Sequence, residues 1–303
     1  MEHLSEMQQR ILKLKKEKNA LILAHYYVTL DVQDVADHVC DSFEMAKRAK
    51  NADADLIVIC GVRFMGESAK ILSPEKKILL PAPDAGCPMA DMVTPEDVLK
   101  LKAEHPNAAV VCYVNSSAAV KAVSDICCTS SSALKVAESL KEKEVIFVPD
   151  QHLGKYIADQ SKGREFFIHS GFCPTHHKIR EEDVLAAKAA HPEAKFAVHP
   201  ECRDEVVKHA DYVGSTAGII EYAKKADAGE IIIGTEMEIV RRLQRDVPEK
   251  KFYSVASSFT CPNMKKIGLQ EVLDCLEKEQ YEVKLSEEEI AAARRSLDRM
   301  VNI

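Results

Sequence analysis

The sequence contains no tryptophan, and aromatic residues make up only 6% of its 303 positions. Stacking platforms for nucleic-acid bases are therefore not expected. Basic residues are not in excess either: 41 Lys and Arg stand against 48 Asp and Glu, a net charge of −7. Nucleic-acid binding leaves a basic footprint and is disfavoured; a small anionic substrate in a locally positive site is still compatible. No apolar run approaches membrane-spanning length. The opening MEHLSEMQQRILKLKKEK lacks the layout of a signal or transit peptide, and its Met7, Ile11 and Leu14 predict a polar helix. Cytoplasmic residence is the expectation, and there ten cysteines read as thiols or ligands rather than disulfides. None of them forms a C-x-x-C pair, which argues against a zinc ribbon or a thioredoxin-type site. Low-complexity linkers are missing too. The 46% hydrophobic content is that of an ordinary globular chain, long enough for two or three domains.

What the sequence does have is a repeat. Cys87-Pro88, Cys173-Pro174 and Cys261-Pro262 stand 86 (173 − 87) and 88 (261 − 173) residues apart. Each follows a short apolar run: Ile78–Leu80, Phe166–Ile168 and Phe252-Tyr253. Aligning on Asp37, Asp125 and Asp211 places His25, Tyr113 and His199 twelve residues upstream in all three. Tyr27, Asn115 and Glu201 come two residues later. Downstream lie Cys40-Asp41-Ser42, Cys128-Thr129-Ser130 and Gly214-Ser215-Thr216, then the apolar runs Leu56–Cys60, Val145–Val148 and Ile231–Ile233. Register held through so many elements marks an internal triplication.

Within each repeat, short apolar runs alternate with helical patterns, which predicts right-handed crossovers and a parallel sheet. In the first, strands are expected at Leu21–Ala24, His38-Val39, Leu56–Cys60 and Ile78–Leu80. Helices are expected from Val32, over Ser42–Lys50 and near Met65–Leu72. Val110–Tyr113 and Phe196–Val198 open the second and third repeats. Connecting helices at Pro95–Glu104 and Glu181–Ala190 each stop at a His-Pro. The expected architecture is α/β: three pseudo-threefold-related domains, each a small parallel sheet flanked by helices, around a central site. Their limits read 1–88, 89–174 and 175–268, with two charged helices in 269–303 packing on the first.

Parallel sheets present ligands at the carboxyl ends of their strands. His25, Tyr27, Tyr113, Asn115, His199 and Glu201 all stand just past a first strand. Singly, each is ordinary loop chemistry; six in threefold register argue for one polar pocket. Glu201 has the chemistry of a general acid or base, with His199 as its hydrogen-bonding neighbour. Asp41-Ser42, Thr129-Ser130 and Ser215-Thr216 read as helix N-caps that also face an anion. Seven cysteines (Cys40, Cys60, Cys112, Cys127, Cys128, Cys202 and Cys275) read as small buried apolar residues. Cys87, Cys173 and Cys261 differ in sharing one repeat position, and three thiolates on one axis would hold a metal with an open corner. His176 and His177 follow Cys173 closely enough to add a ligand or touch substrate. Spacing leaves iron–sulfur and zinc open. A cluster-bearing sensor and a zinc hydrolase or aldolase are the competing readings.

LAHYY at 23–27, YVNS at 113–116, HPEC at 199–202 and VGST at 213–216 together resemble the quinolinate synthases of bacterial NAD biosynthesis. So do GCPM at 86–89, FCPTH at 172–176 and CPNMKK at 261–266. The resemblance implies a [4Fe–4S] cluster on Cys87, Cys173 and Cys261 with one iron open, and condensation of iminoaspartate with dihydroxyacetone phosphate. It further implies that His25, Ser42 and Ser130 hold the phosphate-bearing substrate, and that Tyr113, Asn115, Ser215 and Thr216 orient carboxylates. Tyr27, Glu201, His199 and His176 would move protons. An aspartate oxidase or dehydrogenase would supply the imine. Two departures stand out. Tyr26 occupies a position where Asn is common, and the C-x-x-C-x-x-C run of some members near the third ligand is missing, leaving only vicinal Cys127-Cys128 as a strained redox pair.

Overall fold

The computed structural model describes residues 4–303. The first unit runs α1 (Glu6–Glu17), β1 (Ala20–His25), α2 (Leu30–Gln33), β2 (His38–Cys40), α3 (Ser42–Lys50), β3 (Leu56–Cys60), α4 (Arg63–Leu72) and β4 (Lys77–Leu79). The second runs α5 (Pro95–Glu104), β5 (Ala109–Tyr113), α6 (Ala118–Ala122), β6 (Ile126–Cys128), α7 (Ala133–Ser139), β7 (Glu144–Val148), α8 (Gln151–Gln160), β8 (Glu165–Ile168) and α9 (Pro174–His177). The third runs α10 (Glu181–Ala190), β9 (Lys195–Val198), α11 (Asp204–Val207), β10 (Tyr212–Val213), α12 (Thr216–Lys225), β11 (Glu230–Gly234), α13 (Glu238–Asp246) and β12 (Lys251–Ser254). Two helices close the chain, α14 (Leu269–Lys278) and α15 (Glu287–Val301). The amino-terminal helix expected from the first residue starts at Glu6, capped by Ser5; residues 1–3 lie outside the described ones.

The three sheets have the same strand order, β2-β1-β3-β4, β6-β5-β7-β8 and β10-β9-β11-β12, and every pair is parallel. Register repeats as well: Leu23 pairs with His38, Val111 with Ile126 and Ala197 with Tyr212. The recurrent aspartates explain why. Asp37 accepts the Ile22 N–H at 2.8 Å, Asp125 that of Val110 at 2.9 Å and Asp211 that of Phe196 at 2.8 Å. Each aspartate's own N–H returns to the carbonyl of the same residue. One carboxylate thus fixes the second strand beside the first in each unit.

With this order, the chain leaves the first and third strands toward opposite edges of the sheet. A crevice opens between their carboxyl ends, where open α/β sheets bind ligands. The first and second sheets share one apolar core with α1, α14 and α15, whereas the third has a separate core on each face. α14 lies against α1 and β3. α15 packs on α6 and β6 and also on α4, so it bridges the first two units rather than resting on the first alone. Among the described residues no helix is long and apolar enough to cross a membrane.

Candidate active site and metal centre

The three crevices open onto one cavity of about 140 Å³. His25, Tyr27, Ser42, Tyr113, Asn115, Ser130, His176, His199, Glu201 and Thr216 all line it, together with Cys87, Cys173 and Cys261. Ser215 does not; it caps α12, its hydroxyl taking the Gly218 N–H at 3.2 Å. α3 likewise starts at the cavity, capped by Asp41. The middle unit departs from the expected pattern: Thr129-Ser130 is not a cap. Ser132 takes the Thr129 N–H, and the Thr129 hydroxyl bonds to Ser131 and Ser132, forming a turn that delays α7 to Ala133. Two of the three expected caps therefore start helices at the cavity, and no Lys or Arg is among its lining residues.

His25 and His199 are held alike. Each Nδ1 accepts the N–H of the residue two places on, from Tyr27 at 3.2 Å and from Glu201 at 3.3 Å. Nε2 is left as the proton-bearing nitrogen, and at His199 it meets Ser130 Oγ at 3.2 Å. Burial lowers His25 to about 3 and His199 to about 4, so both rings are neutral at pH 7. Glu201 lies between the second and third units. It accepts the Tyr113 hydroxyl at 2.6 Å and sits 2.9 Å from His176 Nδ1. Burial opposes its ionisation, but His199, His176 and the Tyr113 hydroxyl together hold it well below the usual carboxylate range. Burial and the Glu201 charge push both tyrosines well above theirs, keeping the phenols protonated. The Tyr27 hydroxyl lies 2.7 Å from both Thr216 and Thr235, and Thr235 is 3.0 Å from His176 Nε2. A proton-carrying chain therefore joins Tyr27 to Glu201 through Thr235 and His176.

All ten cysteines are free; Cys87, Cys173 and Cys261 are half-buried and the other seven fully buried. Cys-Pro begins a tight turn each time, and the turn aims backbone N–H groups at the sulfur. Cys87 Sγ receives those of Met89 and Ala90, Cys173 Sγ that of His176, and Cys261 Sγ those of Asn263 and Met264. Burial raises all three thiols, Cys87 to about 12, with Glu201 and neighbouring sulfurs adding to the rise at Cys87 and Cys173. Three buried sulfurs, each supplied with N–H donors yet too poor in positive charge to ionise alone, fit a cationic centre that takes all three. An iron–sulfur cluster suits that soft donor set. Cys173, His176 and Glu201 also bring one ligand atom each within 4.8 Å of one another.

Several residues in or behind the cavity wall were not singled out from the sequence. Val62, Phe64, Met65, Met89 and Met264 line the cavity, apolar residues with no acid, base or ligand chemistry to mark them. Thr235, Asp150 and Glu236 follow the third strands of their units, positions that alignment on the aspartates would have matched. Lys265, whose Nζ donates to the Tyr27 carbonyl at 2.7 Å, joins two units and was not readable from spacing.

The sequence matches the family described as "Quinolinate synthetase A protein" over residues 9–302. It is 51% identical over 295 residues to quinolinate synthase 2 of Methanosarcina acetivorans, covering 97% of this chain and 95% of that protein. It is 51% identical over 299 residues to quinolinate synthase of Alkaliphilus metalliredigens, with 99% of each chain covered. Against quinolinate synthase of Caldicellulosiruptor saccharolyticus the identity is 49% over 300 residues, again covering 99% of each.

Proposed function

Because this chain belongs to the quinolinate synthetase A protein family, we propose that it condenses iminoaspartate with dihydroxyacetone phosphate to quinolinate, with loss of phosphate and two waters. One observation carries this reading: a cysteine from each unit and the polar ends of all three first strands line the same cavity. Cys87, Cys173 and Cys261 would hold a [4Fe–4S] cluster, which supplies one iron without a protein ligand as a Lewis acid.

The chain's own residues do the rest. The amino-termini of α3 and α12, with neutral N–H donors at His25 and His199, receive anionic groups without a lysine or arginine. His25, Ser42 and Ser130 take the phosphate-bearing substrate; Tyr113, Asn115, Thr216 and the cap residue Ser215 orient the dicarboxylate. Glu201 is the proton acceptor, and Tyr113 and His176 hold it in place and return protons. Tyr27 donates from the opposite end of the Thr235–His176 chain. Apolar Val62, Phe64 and Met65 exclude water on one flank, which suits a reaction that releases water. The unstable imine arrives from an aspartate oxidase or dehydrogenase. The free thiols support a cytoplasmic setting.

The test is quinolinate formation by anaerobically purified protein given dihydroxyacetone phosphate and freshly generated iminoaspartate. Product that disappears after air exposure or iron chelation supports the reading; a cluster-loaded sample that makes none overturns it. The Cys173–His176–Glu201 grouping favours a second reading, a single divalent ion such as zinc. Iron with roughly equal sulfide excludes it, and stoichiometric zinc without sulfide would establish it instead.

A further inference from the structure

The triplication provides two of the three cysteine turns with a buried carboxyl anchor and leaves the third without one. Twenty-five residues after the aligned aspartates (62 − 37, 150 − 125, 236 − 211) stand Val62, Asp150 and Glu236. Asp150 and Glu236 are completely buried just past the third strands of their units. Asp150 Oδ2 accepts the Cys173 N–H at 3.2 Å, and Oδ1 caps α8 through the Leu153 N–H at 2.7 Å. Glu236 Oε1 accepts the Cys261 N–H at 3.3 Å, and Oε2 the Glu238 N–H at 2.7 Å. Lys265 Nζ lies 3.1 Å from Glu236 Oε1 and reaches on to the Tyr27 carbonyl. Val62 offers no acceptor. The loop before Cys87 is held by the Arg63 N–H on Ala85 O at 2.9 Å and by Arg63 and Lys266 side chains on the Pro83 and Asp84 carbonyls, both at 3.1 Å, with no carboxyl group on the Cys87 N–H.

A buried carboxylate is costly, and none of this chain's proposed proton transfers uses either one. Each carboxyl takes two backbone N–H groups at once, one from the cysteine turn and one from the segment after the third strand, and so ties the two together as Val62 cannot. We propose that Asp150 and Glu236 are positioning residues that clamp the Cys173 and Cys261 turns so that their sulfurs stay on the common axis, while the Cys87 turn has no such buried carboxyl group. The inference rests on the reading that these three cysteines hold the iron–sulfur centre.

Asp150→Asn and Glu236→Gln dissect the role. Asparagine caps helices well, so its oxygen can keep the Leu153 bond while its amide presents no acceptor to Cys173. Each variant is loaded anaerobically beside wild type and assayed for iron and sulfide per chain. Iron release to a chelator and the electron paramagnetic resonance of the reduced centre are followed, as is melting of the metal-free chain. The expected result is wild-type melting, an altered resonance, and iron release faster by about tenfold, the loss of one buried hydrogen bond that leaves the cysteine N–H unmatched. Release within twofold of wild type overturns the inference. Faster release accompanied by a lowered metal-free melting temperature also overturns it, since general destabilisation then accounts for the effect. A wild-type chain that takes up no iron and sulfide sinks the cluster reading itself, and with it this inference; a loaded wild type with unaffected variants sinks the inference alone.

Discussion

Replacing Glu201 with glutamine separates its charge from its shape. The side chain is buried and accepts from Tyr113 Oη at 2.6 Å, with His176 Nδ1 at 2.9 Å. Glutamine has the same length and branching, so the packing around it is retained. One oxygen survives to accept from Tyr113, and the other becomes an amide that donates toward His176, whose ring can present a lone pair instead. What disappears is the proton acceptor. A positioned acid or base contributes about 10²–10⁴-fold to rate, equivalent to about 3–5 kcal/mol of activation free energy at 1.36 kcal/mol per decade. The loss should fall on kcat more than on KM, because the carboxylate is engaged by Tyr113 and His176 and is not free to bind substrate. The assay is anaerobic quinolinate formation by wild type and variant matched for iron and sulfide. A rate within about threefold of wild type at equal iron content would refute the assignment, since no acid–base role is that small.

Cys87→Ala, Cys173→Ala and Cys261→Ala should each lose iron, sulfide and turnover, while Cys60→Ala and Cys275→Ala, both fully buried, should keep all three; equal loss in all five contradicts the ligand assignment. His25 is neutral in the folded chain down to about pH 3, but its unfolded form binds a proton below 6.5. Its contribution to stability is therefore full above pH 6.5 and lost as pH falls toward 3. Between pH 7 and 5 this removes about 2 kcal/mol, which His25→Asn should abolish. Denaturation of the metal-free chain across that range checks it, and parallel pH slopes for the two proteins would count against a buried neutral ring. Asp125→Ala strips an acceptor from the Val110 N–H and should cost about 1–3 kcal/mol of stability; an unchanged melting temperature would show that the aspartate does not pin β5 to β6.

The parts of the fold that could be read in the sequence are those written locally. β3, α3, α5 and α10 fall on the expected residues because each is a compact apolar run or a capped amphipathic stretch. β1 and β5 run one residue further toward the amino terminus, and α2 begins at Leu30 rather than Val32, shifts of the size that fraying ends produce. The delayed start of α7 was hidden because Thr-Ser-Ser-Ser offers several equally good caps, and only the Ser132–Thr129 bond selects among them. At the site, first-strand ends were legible because threefold register lifts them above ordinary loop chemistry. Asp150, Glu236, Thr235 and Lys265 were not: Asp150 and Glu236 act on a cysteine loop of their own unit, and Thr235 and Lys265 reach Tyr27 of the first unit. The last two contacts depend on how the units are turned toward one another, and the first two on where a strand end meets a loop more than twenty residues on, neither of which a local pattern encodes.

A threefold frame can serve one asymmetric reaction only if its equivalent positions diverge. His25 and His199 retain the same ring-to-backbone bond, showing what the shared geometry dictates. Tyr113, at the matching position, has no ring nitrogen to make that bond and instead crosses to Glu201, stitching the second unit to the third. Two positions along, Tyr27, Asn115 and Glu201 supply a donor, an amide and an acceptor, so that each unit brings a different function. Position twenty-five splits again: carboxylates anchor two cysteine turns, while Val62 joins Phe64 and Met65 in an apolar wall contributed by the first unit alone. The cavity therefore has Glu201 and its partners between the second and third units, while the first unit brings apolar carbon beside its own His25, Tyr27 and Ser42. A substrate held there meets both Glu201 and apolar carbon in one cavity. If Val62→Ser admits water to the apolar wall, turnover should fall while cysteine-bound iron does not.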